Sequence, residues 1–267
     1  MEKQHYSSIS YNIFNWDPSE AHFLRMVAVI RKYCPDTIGF QEITATWINR
    51  LRSALPEYVC IGADRGDFTH ERSAIFFRND RFICLECGTK WLSDTPDIPS
   101  KYDDSEFMRV MSYAYLECIA SGKAFVHANL HLDLNECVNT KQMKVALQFL
   151  KNRYEKTPCL LTGDFNADIF KTPIPMPLST VLEQMKDSRA IAHETYGEGS
   201  WHGRESVQPQ KKALDYIFVS DHFEIEQHRY VDDLFTEGYP MDSEYPAINA
   251  GAVSDHNPIY ISYCIQA

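Results

Sequence analysis

Short apolar runs of strand length recur along this chain, and amphipathic helical patterns interrupt them at only four places. That alternation restricts the fold more than any other feature of the sequence. "SSISYNIF" reads as a strand and leads into "WDPSEAHFLRMVAVIRKY". There Asp17 suits a helix cap, Pro18 the first helical position and Glu20 the return arm of a capping box. Phe23, Leu24, Val27 and Ile30 then recur at helical spacing. "DTIGFQE" is a buried strand and "TATWINRLRSAL" a second helix. The runs "YVCIGA", "RSAIFFR", "FICLECG", "SYAYLECIA" and "KAFVHANLHL" follow as strands. A third helix spans about Thr140 to Tyr154, with Met143, Ala146, Leu147 and Leu150 on one face. After strand "PCLLTGDFN" comes a fourth helix around Leu178 to Met185, then strands "LDYIFVS", "EIEQHRYV" and "NPIYISYCI". Strand–helix–strand units near both ends, with meanders between them, predict two packed mixed β-sheets with helices outside.

The chain has 267 residues, 44% of them apolar, enough for one large core. No linker, repeat or low-complexity tract divides it, so residues 1–267 are expected to form a single domain. No apolar run approaches the ~18 residues of a membrane span, and the polar start "MEKQHYSS" is not a signal peptide, which makes a cytoplasmic protein the expectation. A net charge of −11 argues against a general basic surface for nucleic acid, while a local phosphate site stays open. The eight cysteines are scattered, mostly in apolar runs, as reduced thiols are. Cys84 and Cys87 form a C-x-x-C with no second pair or histidine cluster, so a zinc site is not read there.

Several strands end in groups that a structural strand does not need. They are Asn12, Gln41 and Glu42, Asn129 and His131, Asp164 and Asn166, Asp215, and Asp255 with His256. Each alone has an ordinary explanation, since Asn and Asp make turns and a lone His is usually a core residue. Their joint recurrence points to a site. Carboxylates and an amide suit a hard cation such as Mg²⁺, and the absence of cysteine argues against zinc. Imidazoles beside carboxylates suit phosphate-ester hydrolysis, one group handling the water and another the charge on the phosphoryl oxygens. Asp164 and Asn166 alternate along a strand and so can share a face. Asp215 is a candidate to fix the His256 tautomer.

In order, "YN", "QE", "NLHLD", "GDFN", "LDYIFVS" and "SDHNP" resemble the endonuclease/exonuclease/phosphatase superfamily, over about residues 8–265. The resemblance implies a four-layer α/β/β/α sandwich and a Mg²⁺-dependent phosphoesterase, with Mn²⁺ as a substitute. It makes Glu42 the principal metal ligand, with Asn12 beside it and Asp255 contributing. Asp164, supported by Asn166, would orient or deprotonate the attacking water. His256, paired with Asp215, would stabilise the phosphate or transfer a proton; which of Asp164 and His256 is the base stays open. "HERSAIFFR" is similar to a deoxyribonuclease segment in which a Glu pairs with a catalytic His, so Glu71 is expected to hold His131. A "WLS-TP" loop followed by Arg109 resembles bacterial hydrolases of the superfamily and makes Arg109 a phosphate contact, while "GSWHG" makes His202 a substrate contact.

Two departures stand out. Phe14 occupies a position where abasic-site endonucleases carry a carboxylate, and Leu130 and Leu134 replace polar positions of a "THLDH" pattern. The substrate expected is a phosphorylated small molecule, such as a sugar phosphate, or a phosphodiester. DNA or RNA is the alternative, and a catalytically inactive binding scaffold is the rival of another class.

Overall fold

In the computed structural model, which describes residues 4–207 and 211–266, the strand-length runs become two facing sheets. The first half contains β1 (His5–Asn12), α1 (Glu20–Tyr33), β2 (Thr37–Ile43), α2 (Ala45–Ala54), β3 (Tyr58–Ile61), β4 (Arg72–Arg78), β5 (Phe82–Trp91), β6 (Val110–Cys118) and β7 (Ala124–His131). The second half contains α3 (Glu136–Tyr154), β8 (Cys159–Asp164), α4 (Met176–Leu182), β9 (Lys186–Asp187), α5 (Ser188–Ile191), β10 (Glu194–Tyr196), β11 (Asp215–Val219), β12 (Phe223–Tyr230), α6 (Pro246–Asn249) and β13 (Ile259–Ile265). One sheet has the order β10-β12-β13-β1-β2-β4-β3 and the other β5-β6-β7-β8-β11-β9. Helices α1 and α2 pack Met26, Val27, Ile30, Trp47, Ile48 and Leu51 on the outer face of the first sheet. On the second, α3 and α4 contribute Met143, Ala146, Leu147, Leu178 and Val181. The expected α/β/β/α sandwich forms because each sheet has two apolar faces to bury.

Helix α1 begins differently from its sequence expectation. Ser19, not Asp17, is its cap, and the Ser19 hydroxyl accepts from the His22 N–H at 3.2 Å. Asp17 instead turns the chain ahead of the helix, its Oδ1 accepting from the Ser19 N–H at 3.0 Å. Both residues are good caps, and the tight Asp17–Ser19 turn leaves only Ser19 adjacent to the first turn.

Gln41 and Asn129 are not site groups. They lie fully buried and bridge the two sheets, Gln41 Nε2 donating to Asn129 Oδ1 at 2.7 Å. The Asn129 amide in turn donates to the Phe40 and Ala74 carbonyls at 2.8 and 3.0 Å. Gly39 allows this approach. A Cβ there would sit 2.1 Å from Thr162 Oγ1 and 2.6 Å from Asn129 Oδ1, where no side chain fits.

Candidate active site

The topology collects the polar residues at one edge of the sandwich. Parallel pairing aligns the C-terminal ends of β1 and β2, with Asn12 opposite Gln41, and those of β7 and β8, with His131 opposite Asp164. Antiparallel β11 starts where β8 ends, so Asp215 pairs directly with Asp164. Glu71 precedes β4, Arg109 precedes β6 and His256 comes just before β13. Parallel ends and antiparallel starts thus meet at one rim.

Glu42 gets its direction from a bulge. The β2–β4 register shifts between Phe40 and Ile43, and Glu42 has a positive φ of 58°. That region is costly for a side chain with a Cβ, and it turns the carboxylate off the sheet toward the rim. Asn12 lies between two acids, its Nδ2 3.2 Å from Glu42 Oε1 and 3.0 Å from Asp164 Oδ2. Its Oδ1 accepts from the Phe14 N–H at 3.1 Å. Asn12 thus lies beside Glu42, as expected, with its N–H groups turned toward the two carboxylates. Burial, with the negative charges of Glu71 and Asp255, raises the Glu42 carboxyl to about 7. Its Oε2 is buried without a hydrogen-bond partner among the described residues. An unpartnered carboxylate oxygen beside two further acids fits a hard divalent cation, which would supply the missing positive charge.

His256, just ahead of β13 in the sheet that carries Glu42, reaches across to the facing sheet, where its Nδ1 is 2.7 Å from Asp215 Oδ2 and its Nε2 is 4.0 Å from Asp164 Oδ2. Burial disfavours the imidazolium, but Asp215, Asp255 and Asp164 outweigh it and raise the His256 pKa to about 10. Asp164 is raised to about 6, by burial and then by Asp215. Asp164, Asp215 and His256 form a group whose ligand-type atoms lie within 4.8 Å of one another. The Asp215–His256 hydrogen bond already engages one atom of each, so we place the cation fit at Glu42.

Asn166 falls beyond the end of β8, with a φ of 48°, instead of alternating with Asp164 within the strand. Its N–H donates to Asp164 Oδ1 at 2.9 Å, and its Nδ2 lies 3.1 Å from His131 Nε2. The left-handed turn achieves what alternation was expected to provide, bringing both side chains to the rim. Burial, followed by Arg109, Arg65 and His256, pushes the His131 pKa well down, so this ring is neutral beside a charged one.

Two expected contacts are absent. Glu71 does not hold His131. Its Oε2 is 2.7 Å from Arg65 Nη1 and its Oε1 accepts from Asn15 at 3.0 Å. Arg65 offers a full positive charge and captures the carboxylate from a neutral imidazole. His202 faces away from the cleft, its Nδ1 3.1 Å from the Ser206 carbonyl, and lines a separate small pocket with Val207 and Asp232. The preceding residue, Trp201, forms a β-bridge with His256, and neighbours on an extended segment point oppositely.

Glu42, Glu71, Arg109, His131, Asp164, Asn166, Asp255 and His256 line one open cleft of about 430 Å³. Arg109 is buried beneath it, with Nε unpartnered among the described residues. The rim adds groups that the sequence reading missed: Trp16, Phe107, Trp201, Arg65, Arg204 and Lys212. Arg204 Nε is 3.5 Å from Asp255 Oδ2, and the Lys212 ammonium lies 3.9 Å from the Trp201 ring centre. Proximity in sequence was the available signal, since Trp16 follows Asn12 by four residues and Trp201 and Arg204 flank His202.

A sandwich with acids, amides and a charged imidazole gathered at its rim defines a metal-dependent phosphoesterase. The chain belongs to the Endonuclease/Exonuclease/phosphatase family, whose sequence pattern matches residues 9–256. A solved family protein from Bacteroides thetaiotaomicron is 25% identical, with a TM-score of 0.87 and coverage of 100% of both chains. A mannosyl-6-phosphatase of the same bacterium is 26% identical, with a TM-score of 0.85 over 97% of this chain and 100% of that one. An uncharacterised protein of Acanthamoeba polyphaga mimivirus is 23% identical over 95% of this chain and 94% of its own.

Proposed function

We propose that this protein hydrolyses phosphate esters of small molecules, sugar phosphates foremost, with Mg²⁺ as the divalent cation and Mn²⁺ as a substitute. The observation that carries the reading is the buried Asp215–His256 pair facing Asp164, in the cleft that Glu42 with its unpartnered oxygen also lines. Glu42 would hold the cation with Asp255 contributing, and the ion would supply charge neutralisation at the phosphoryl oxygens.

The chain's own groups divide the proton work by environment. At neutral pH, Asp164, with its pKa about 6, is mostly ionised, while His256, about 10, is charged. Groups whose surroundings separate their proton affinities take opposite roles. Asp164 therefore orients the attacking water and accepts its proton, while Asn166 fixes the carboxylate. His256 donates to a phosphoryl oxygen, with Asp215 holding its tautomer. Arg109 lines the cleft and meets a substrate phosphate there, since guanidinium geometry matches phosphate.

Trp16 and Trp201 beside basic side chains in the cleft favour a compact phosphorylated ring. The net charge of −11 disfavours a long nucleic-acid strand. Similarity to a mannosyl-6-phosphatase over nearly the whole chain supports the same class. The test is a Mg²⁺-dependent phosphate-release screen of hexose phosphates, other phosphomonoesters, nucleotides, diesters, DNA and RNA. Highest kcat/KM on a sugar phosphate supports the proposal. Highest turnover on DNA or RNA replaces it with the nuclease reading, and no turnover on any member of the panel returns the scaffold reading.

A further inference from the structure

Far from the cleft, His5, Glu226 and Cys264 bring three different donor atoms together. His5 Nδ1 is 2.9 Å from Glu226 Oε1, and Cys264 Sγ is 3.7 Å from His5 Nδ1 and 3.6 Å from Glu226 Oε1. In tetrahedral zinc, Zn–S of about 2.3 Å and Zn–N or Zn–O of about 2.0 Å set the donor separations. Those lengths place sulfur about 3.5 Å from either lighter donor, and nitrogen about 3.3 Å from oxygen. The two sulfur edges observed lie within about 0.2 Å of those lengths, and the nitrogen–oxygen edge is about 0.4 Å shorter.

The fold builds this triangle from three adjacent strands. His5 pairs directly with Cys264 between β1 and β13, so the two side chains share a face. The β12–β13 register shifts between Ile225 and Gln227, and Glu226 is the extra residue that this bulge turns toward Cys264. Tyr263 and Ile265 enter the core between the sheets, so Cys264 projects from the other side. Its thiol is sheltered, whereas the His5 side chain is 62% exposed, leaving a path for an ion and a water as fourth ligand.

We propose that His5, Glu226 and Cys264 form a second metal site, selective for Zn²⁺, that clips β1, β12 and β13 together. It lies at the opposite end of β1 from Asn12, seven residues away, or about 23 Å at roughly 3.3 Å per residue. A thiolate, an imidazole and one carboxylate suit zinc, whereas the all-oxygen preference of Mg²⁺ does not. On binding, the Cys264 thiol gives its proton to solvent and the neutral His5 ring coordinates through Nδ1.

Cobalt tests the site, because only a cysteine ligand gives a thiolate-to-cobalt charge-transfer band and the catalytic cleft has no cysteine lining it. Chelator-treated full-length protein is titrated with Co²⁺ and then Zn²⁺. The expected result is a near-ultraviolet band with tetrahedral visible bands, saturating at one Co²⁺ per chain and displaced by Zn²⁺. Cys264→Ser and His5→Ala each abolish the band and weaken Zn²⁺ binding by at least about tenfold, while Cys87→Ser keeps it. His5 is exposed, so His5→Ala remains a valid test if Cys264→Ser folds poorly. No band at stoichiometric Co²⁺, or a band that survives His5→Ala, overturns the proposal.

Discussion

His256 Nδ1 and Asp215 Oδ2 lie 2.7 Å apart, buried, on two segments 41 residues apart in sequence and on different sheets. This contact makes the imidazole a cation at neutral pH against the cost of burial. Asp215→Asn removes the charge and keeps the shape. We expect kcat/KM to fall by about 10²–10⁴ and the alkaline limb of the pH–rate profile to move down from near 10. Stability follows the same linkage. A raised histidine pKa contributes stability that is complete below the ordinary value of 6.5 and is lost as pH rises through about 10. Melting temperatures between about pH 7 and pH 10 should fall in the parent and change much less in the variant. An unchanged alkaline limb would remove His256 as the charged group.

Glu42 sits in a strained bulge among like charges, which suits a ligand more than a structural residue. Glu42→Gln should eliminate nearly all turnover while leaving a folded protein. In chelator its melting temperature should equal or exceed that of the parent, because a repelled carboxylate has been neutralised. Added Mg²⁺ should stabilise the parent and not the variant, a difference that thermal shift measures directly. Near-normal turnover in Glu42→Gln would refute the ligand assignment.

Asp164 is the opposite case to His256. A carboxyl whose folded pKa is raised, here to about 6, favours the protonated fold, so its ionisation costs stability as pH rises through that value. Asp164→Asn should therefore be at least as stable as the parent at neutral pH while losing about 10²-fold or more in kcat. In the parent, the acid limb of kcat/KM should fall near pH 6. Preserved turnover in Asp164→Asn would assign the base role elsewhere.

Arg109 is held under the cleft by its surroundings, its guanidinium 5.4 Å from the Phe107 ring centre. Arg109→Lys keeps a charge but loses the planar fork. The expected loss is about 1.5–3 kcal/mol of phosphate binding, read as a rise in KM and in the inhibition constant of inorganic phosphate. If neither constant changes, Arg109 is a structural residue.

Gly39 has no role in chemistry, yet its replacement should be felt. Gly39→Ala forces a methyl against Thr162 and Asn129 and should cost about 1–3 kcal/mol by denaturant unfolding. Asn129→Leu, which strands Gln41 and two carbonyls, should cost a similar amount. A silent Gly39→Ala would mean that the sheets separate more easily than their buried hydrogen bonds imply.

Strand and helix periodicity made the layers legible, because a face buried in the core repeats every two or every 3.6 residues wherever it occurs. The order of polar strand ends was likewise local information, and it pointed to one rim. Partner choice was not local. Glu71 was read with His131, and only the folded chain shows Arg65 intercepting it, because a nearby full charge outcompetes a neutral ring. Gln41 and Asn129 looked like the site groups beside them, but pleat direction sends them between the sheets. The His202 side chain turns away while Trp201 and Arg204 enter the cleft, a decision made by one β-bridge to His256. The His5–Glu226–Cys264 triangle depends on strand register and a bulge, and residues so distant in sequence leave no spacing to read. The sequence by itself determined the layered architecture and the kinds of chemical group at its rim, since both follow from residue type and period. Tertiary structure alone decided which charges meet and which are left unpaired, because electrostatic energies depend on distance and burial, and those arise only when the two sheets close on each other.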